Sequence, residues 1–455
     1  MNLCLAVDFG STYTKLTAID VEAAAVVAVA KAFTTIETDV REGLNKGLVE
    51  LAKLCGTDNF NTKLACSSAA GGLKMISVGL VPDLTAKAAR LAATSAGAKV
   101  VKTYAYELTS SDQEEIFNEN PDIILLSGGI DGGNKDVILH NAQMLAVIER
   151  GFSVIIAGNK TVGEQIRQIF LTAKKRALLC ENVMPKFDKL NIMPAKMAIR
   201  DLFIENIISA KGLDKAQELL DDEIIPTPLA VFEAAELLGK EMGELMVYDV
   251  GGATTDVYSM ADGTPKRANT YLSGMHEPHA KRTVEGDIGM RYSILSLAEE
   301  AGLDNIAAST GIATPDIQAR IKYCRENPDI LSAPNTPEKH LDDILAGFAI
   351  GISANRHCGF TETTYTPVGE VLLQTGKDLT AVKYIIGTGG SVINNTNPKN
   401  ALANAAYTPL SANILKPTNP EYLLDTQNIF AAMGLLSKRH PKTATKIMQT
   451  NFTKI

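Results

Sequence analysis

An apolar run that stops at an aspartate, turns through glycine and leaves as a second apolar run is a narrow specification, and this chain meets it twice. The first copy is Leu3-Cys-Leu-Ala-Val-Asp8-Phe-Gly10-Ser11-Thr12-Tyr-Thr14-Lys15-Leu-Thr-Ala-Ile-Asp20, and the second is Leu245-Met-Val-Tyr-Asp249-Val-Gly251-Gly252-Ala-Thr254-Thr255-Asp256-Val-Tyr-Ser-Met260. Each reads as a strand, a tight turn and an antiparallel return strand. Gly251 and Gly252 strip side chains from the second turn, so its N–H groups can face an anion, with the Thr254 and Thr255 hydroxyls as added donors. One such hairpin is usually only a strand connection. Two of them, their aspartates 249 − 8 = 241 positions apart, predict two similar lobes that face one phosphate-bearing ligand.

A third stretch fits the pair. Tyr384-Ile-Ile-Gly387-Thr-Gly389-Gly390-Ser391 runs from a strand into a glycine-rich turn, where a flat base and ribose can lie against bare main chain. In this order the three motifs resemble the phosphate-1, phosphate-2 and adenosine motifs of the actin, Hsp70 and sugar-kinase superfamily of ATPases. Pro226–Leu238 resembles that superfamily's first connecting helix, and Ile429–Leu436 its second.

The resemblance implies an α/β, two-lobed actin/Hsp70/sugar-kinase-like ATPase fold with ribonuclease H-like lobes, an inserted α/β subdomain, and ATP with Mg²⁺ as ligands. Its domains are expected at 1–82 (first lobe), 83–180 (inserted subdomain), 181–238 (rest of the first lobe with the connecting helix) and 239–455 (second lobe). Mg²⁺ keeps several waters and takes few protein ligands, so Asp8 and Asp249 are expected to reach the metal through water. They and Lys15, which falls where actin-type ATPases carry a lysine near the β- and γ-phosphates, are the expected catalytic residues. Gly10, Ser11, Thr12, Lys15, Gly251, Gly252, Thr254 and Thr255 are expected around the phosphates, and Gly387, Gly389, Gly390 and Ser391 around the adenosine. Asp256 is expected to brace its hairpin. The alternative for either carboxylate alone is to cap its own turn by bonding its backbone. The chain departs from the pattern once: Hsp70-like members carry a water-orienting Glu where this chain has Ile225, and Glu223 is the nearest substitute.

The 455 residues suffice for two large domains or three smaller ones. Net charge is −8, with Lys and Arg scattered and aromatics at only 5%, so neither a nucleic-acid nor an anionic-membrane footprint is expected. Cysteines stand at 4, 55, 66, 180, 324 and 358 without a Cys-x-x-Cys pair, which argues for a reducing, cytoplasmic setting and against an iron–sulfur site. No apolar run nears the roughly 18 to 20 residues of a membrane helix, and residues 3–7 read as a strand rather than a leader.

Periodicity predicts a helix over 37–55, with Val40, Leu44, Leu48, Leu51 and Leu54 on one face, and a ligand-side loop at Ser67-Ser-Ala-Ala-Gly71-Gly72. Alternating strands and helices from 83 to 180 imply a parallel sheet. Within it, Gly128-Gly-Ile-Asp131-Gly-Gly133 is either a tight turn with a solvent-facing Asp131 or a second anion or partner site. Residues 181–225 read as mostly helical, 266–272 as a strand, and 283–289 as a polar loop with Asp287 either capping a helix or facing a ligand. Further helices are expected at 315–326, 338–357, 370–375 and 420–438, followed by a basic, frayed tail.

Over the whole chain the pattern is most similar to the glutamate mutase-associated MutL family, which is unrelated to mismatch-repair MutL. That likeness rests on Ala6–Lys15, Cys66–Gly72, Leu125–Asn134, Tyr248–Asp256 and Val284–Gly289. It implies a slow ATPase that reactivates an adenosylcobalamin-dependent carbon-skeleton mutase or aminomutase by driving out damaged cofactor. Its partners would be the mutase subunits and ATP or ADP. A small-molecule kinase or phosphohydrolase of the same fold is the rival reading, and a non-hydrolysing ATP-dependent scaffold a third.

Overall fold

The fold class is α/β, and in the computed structural model the chain divides into two compact units, Met1–Asp20 with Val27–Ala230, and Val21–Val26 with Val231–Ile455. The structure describes residues 2–10, 13–34, 39–68, 74–209, 213–367 and 369–455.

The first unit opens with β1 (Leu3–Phe9), β2 (Tyr13–Asp20), β3 (Ala25–Phe33) and β4 (Thr62–Ser67). β1 is buried at every position except Asp8, as its unbroken apolar run requires of a strand covered on both faces. A helix over Val40–Cys55 packs on β2, begun by an Asp39 cap on the Arg41 N–H and ended by left-handed Gly56. It comes so close that a Cβ on Gly47 would sit 2.3 Å from Leu16 Cδ1. Leu54, expected on its inner face, is exposed.

Next come β5 (Lys74–Val78), β6 (Lys99–Tyr104), β7 (Ile123–Leu126), β8 (Ser153–Ile156) and β9 (Ala177–Leu179), a parallel sheet in the order β6–β5–β7–β8–β9. This sheet therefore starts at Lys74, before position 83, because the short β5 pairs with both β6 and β7. Between 181 and 225 the described helices are only Met193–Ser209, Leu213–Gln217 and none before 193. There asparagine side chains replace helical bonds: Asn182 accepts from the Met184 N–H, and Asn191 donates to Glu181. A short edge strand, β10 (Ile225–Pro226), completes a five-stranded sheet ordered β10–β4–β1–β2–β3. The helix Thr227–Met242 then carries the chain into the second unit.

That unit contains β11 (Leu245–Val250), β12 (Thr255–Met260), β13 (Thr270–Ser273), β14 (Ala280–Glu285), β15 (Phe360–Thr366), β16 (Gly369–Thr375), β17 (Tyr384–Thr388), β18 (Glu421–Leu424) and β19 (Thr453–Lys454). Its main sheet runs β14–β12–β11–β17–β18–β19. The five strands β18–β17–β11–β12–β14 repeat the plan of β10–β4–β1–β2–β3: an antiparallel hairpin at the centre, two parallel strands on one side, a third meander strand on the other. Such a duplication is what ribonuclease H-like halves of an actin- and sugar-kinase-like fold predict.

Several expected elements differ. Residues 370–375 form a strand, not a helix, because β16 pairs with the threonine-rich β15 through a turn closed by left-handed Gly369. The strand expected from 266 begins only at Thr270, and the loop expected at 283–289 is a strand as far as Glu285. The helix expected over 420–438 is β18 followed by a helix confined to Phe430–Ser437. Helices at Thr314–Glu326 and Pro337–His357 stand where periodicity put them.

The tail is not frayed. Pro441–Asn451 is a helix that buries Ala444, Ile447 and Met448, Phe452 stacks on Phe430 at 5.0 Å, and β19 pairs with β18. Met448→Ala is therefore expected to cost about 2–5 kcal/mol in urea unfolding, where a loose tail would cost nothing.

The second unit also buries Lys377, whose Nζ donates to the carbonyls of Pro278 at 3.1 Å and His279 at 2.7 Å. Burial, aided by the nearby Lys281 cation, pushes this ammonium down to about 7, against the pull of Glu277, Glu244 and Asp262. Folding thus releases a proton that the unfolded chain keeps until its ordinary lysine range. The unfolded state binds more protons between those limits, so this contribution to stability rises with pH from about 7 upward. Melting curves across that range are expected to lose this slope in Lys377→Met.

Candidate functional site

In the first unit the Asp8 side chain, only 13% exposed, sits at the open end of β1. Register places it opposite Lys15 of β2 and Cys66 of β4. Lys15 Nζ lies 3.7 Å from Oδ2. The Thr227 hydroxyl donates to Oδ1 at 2.6 Å, and the Cys66 thiol points at the same oxygen at 3.5 Å. Burial first, then the Asp8 carboxylate, pushes the Cys66 thiol well above its usual range, so it stays protonated and a donor. Ser11 and Thr12, expected at the phosphates, and Ala69–Gly72 of the expected ligand-side loop lie outside the described residues.

The second unit repeats the frame. Asp249 stands opposite Asp256 of β12 and Thr388 of β17. In both copies the hairpin partner is seven residues on, 15 − 8 and 256 − 249, and one turn bond recurs: the Gly10 N–H donates to the Tyr13 carbonyl at 3.1 Å, the Gly251 N–H to the Thr254 carbonyl at 2.9 Å. These two glycine amides close their turns and do not face an anion, which corrects that part of the expectation. Among the described residues, the N–H groups of Gly252, Ala253 and Thr254 at the tip donate to nothing, and Gly252 is exposed. Three successive amides at the tip are thus left without a hydrogen-bond acceptor among the described residues.

Gly389 comes up against this turn. Its φ is +84°, and a Cβ there would lie 2.6 Å from Asp249 Oδ1 and 2.8 Å from the Val250 carbonyl oxygen. Only glycine fits, and the adenosine-like turn is thereby laid directly on the second carboxylate. Gly390 is exposed and Ser391 half-buried beside it. Two expected residues have other duties. The buried Thr255 hydroxyl donates to the Ile288 carbonyl at 3.0 Å, and a Cβ on buried Gly387 would meet Val392 at 2.7 Å, so the first braces the turn and the second admits core side chains. Thr254 gives its hydroxyl to Asp256 Oδ2 at 3.2 Å.

Two aspartates facing each other at 249 and 256 would repel; like charges directly opposite in a sheet destabilise it. Arg282 of β14 answers this. Fully buried, it reaches Asp256 Oδ1 with Nε at 2.9 Å and a second bond from Nη2, and its own cation is raised by that partner against the opposing effect of burial. Asp256 braces the hairpin through this pair.

Other candidates are placed elsewhere. Glu223 is 64% exposed and turned toward Arg200 at 3.8 Å, while Ile225, in register with Cys66, is buried. Asp287 pairs with Arg356 at 2.8 Å and the following helix starts only at Ile294, so it does not cap that helix. Asp131 is not solvent-facing: 20% exposed, it accepts from the Lys160 N–H and from Asn182. Buried Asn159 and Asn182 also bond Gly132, Gly133, Asn134 and Gly129, so the Gly128–Gly133 turn is knitted to its neighbours. Thr227, Cys66 and Arg282 were not foreseen. The seven-residue spacing from each aspartate was a signal for the hairpin partners, but nothing local announces the other three.

The family model for MutL protein matches residues 4–452. Over 464 residues the chain is 46% identical to Protein MutL of Clostridium tetanomorphum, covering 100% of both. Among solved structures it is similar to nucleotide-free acetone carboxylase, with a TM-score of 0.41 and 13% identity over 96% of this chain and 70% of that one. Ligand-bound xylulose kinase from Lactobacillus acidophilus has a TM-score of 0.35 and 10% identity over 100% and 93%. Among the described residues no helix is long and apolar enough to cross a membrane.

The Arg282–Asp256 pair carries a sharp expectation. Arg282→Met leaves a buried carboxylate unpaired and is expected to cost about 3–5 kcal/mol in chemical unfolding. Adding Asp256→Asn should recover much of that loss, and a single variant as stable as wild type would show that the pair does not hold the hairpin.

Proposed function

The chain belongs to the MutL protein family, the glutamate mutase-associated one, and we propose that it is an Mg²⁺-dependent ATPase that reactivates an adenosylcobalamin-dependent mutase. The reading rests above all on one observation: two hairpins with the same register and the same glycine turn bond each end on a carboxylate, and the second offers three unused amides beside it. Gly389 packs the adenosine-like turn against Asp249 with no side chain between them, which suits a nucleotide laid beside main chain.

Mg–ATP, when bound, supplies the scissile phosphoanhydride and a doubly charged ion. On this reading Asp8 and Asp249 would hold waters of the hydrated metal and orient the attacking one. Lys15 offsets phosphate charge, joined by Ser11, Thr12 and the amides of Gly252, Ala253 and Thr254. Gly389, Gly390 and Ser391 lie along the adenosine. Catalysis is then positioning and electrostatics, with no covalent step on the protein. With Ile225 where a water-orienting carboxylate stands in Hsp70-like chains, turnover is slow. Slow turnover suits a machine that acts on a partner, here the mutase subunits in the cytoplasm, from which it drives damaged cobalamin.

Asp8→Asn and Asp249→Asn are each expected to lower ATP hydrolysis by at least about 100-fold, the scale of losing one preorganised electrostatic contact, with far-UV spectra unchanged. Wild-type chain with ATP is expected to restore turnover to an inactivated mutase holding damaged cobalamin, and the two variants are not. Undiminished hydrolysis in both, or phosphate transferred to a sugar or acid instead of water, sinks the proposal.

A further inference from the structure

The two oxygens of Asp8 are not equivalent. Among the described residues, Oδ1 takes the Thr227 hydroxyl at 2.6 Å and faces the Cys66 thiol at 3.5 Å, whereas Oδ2 faces the Lys15 ammonium, at 3.7 Å. The first contact joins residues 219 positions apart. β10 lies two strands from β1, with β4 between them, and adjacent strands are about 4.8 Å apart. Thr227 comes directly after β10, so the chain beyond Pro226 has to lean over the end of β4 to reach Asp8. Fully buried Cys66, small and level with both Asp8 and Ile225, is the β4 residue that lets it through. Pro228 follows in the first helical turn, where a missing N–H costs nothing, and fixes the backbone just past the contact.

We infer that Thr227 is a positioning residue for Asp8: its hydroxyl, backed by the Cys66 thiol, occupies Oδ1 and fixes the carboxylate plane so that Oδ2 is the atom presented to the hydrated metal. This deepens the proposed ATPase and rests on it. A carboxylate at the end of a strand otherwise turns about its last torsion, which is broad. With two donors on one oxygen that freedom is gone. Thr227 also begins the helix that leaves the first unit, so a shift of that helix start changes the hold on Asp8.

The test compares Thr227→Val, which keeps the shape and removes the donor, with Thr227→Ser, which keeps the donor. Thr227→Val is expected to lower kcat for ATP hydrolysis about 10–100-fold, the usual cost of losing a partner behind a metal-site group, with KM for ATP unchanged. Thr227→Ser should retain the wild-type rate. A Thr227→Val enzyme at full kcat, or a Thr227→Ser enzyme as slow as Thr227→Val, overturns the inference. A thermal-unfolding cycle of Thr227→Val with Asp8→Ala needs no nucleotide: the two losses in Tm should fall short of adding, and simple additivity also overturns it. Should Thr227→Val not fold, Thr227→Ala and Cys66→Ala enter the same cycle. If wild-type chain hydrolyses no ATP, the proposed function falls and the cycle alone decides the contact.

Discussion

Strand register is the constraint on which the rest of this molecule depends. A strand alternates faces at every residue, so a slip of one position would turn each aspartate away from its turn and into the wrong layer. The chain fixes that register in each half with one glycine amide bonded across the turn, Gly10 to Tyr13 and Gly251 to Thr254. From those bonds follow the residues that flank each carboxylate: Lys15 and Cys66 around Asp8, Asp256 and Thr388 around Asp249. The two halves share a backbone solution while differing in nearly every side chain set on it.

That difference is electrostatic. Opposite Asp8 stands a cation, so the first hairpin is close to neutral at its tip. Opposite Asp249 stands a second anion, and the sheet needs Arg282 from the next strand to make that tolerable. The pair is fully desolvated, and such pairs give specificity of arrangement more often than net stability. Thr388 extends the polar frame on the other side, donating to buried Asp425, which in turn caps the N–H groups of Ile429 and Phe430. The second carboxylate is thus bedded in a polar layer running from Arg282 to the helix at Phe430, and the first rests on two hydroxyl- or thiol-sized donors.

Much of the framework was legible in the sequence because its signals are local. Continuous apolar runs marked β1 and β11, glycines marked the turns, and the strand–helix alternation marked the parallel sheet. What was missed depends on partners distant along the chain. Glu370–Thr375 alone has no clear period, and only its pairing with β15 makes it a strand. The polar tail looks free until Ala444, Ile447 and Met448 are seen to share one buried face. The packing duties of Gly387 and Thr255 were hidden for the same reason: a glycine that could serve a ligand also admits neighbouring side chains, here Val392 and Leu402. Thr227 is the extreme case, since its partner lies 219 residues away.

Gly389 has an evolutionary consequence. Any L-residue there meets a left-handed backbone angle and an occupied volume at once, so two independent penalties guard one position. Neighbouring Gly390 is under neither: its φ is ordinary, and a methyl there would meet only the Asn394 amide nitrogen, at 3.9 Å. Sequence drift in the turn is therefore channelled to 390 and 391, where a new side chain can be tried without unseating Asp249, while 389 stays a one-letter alphabet.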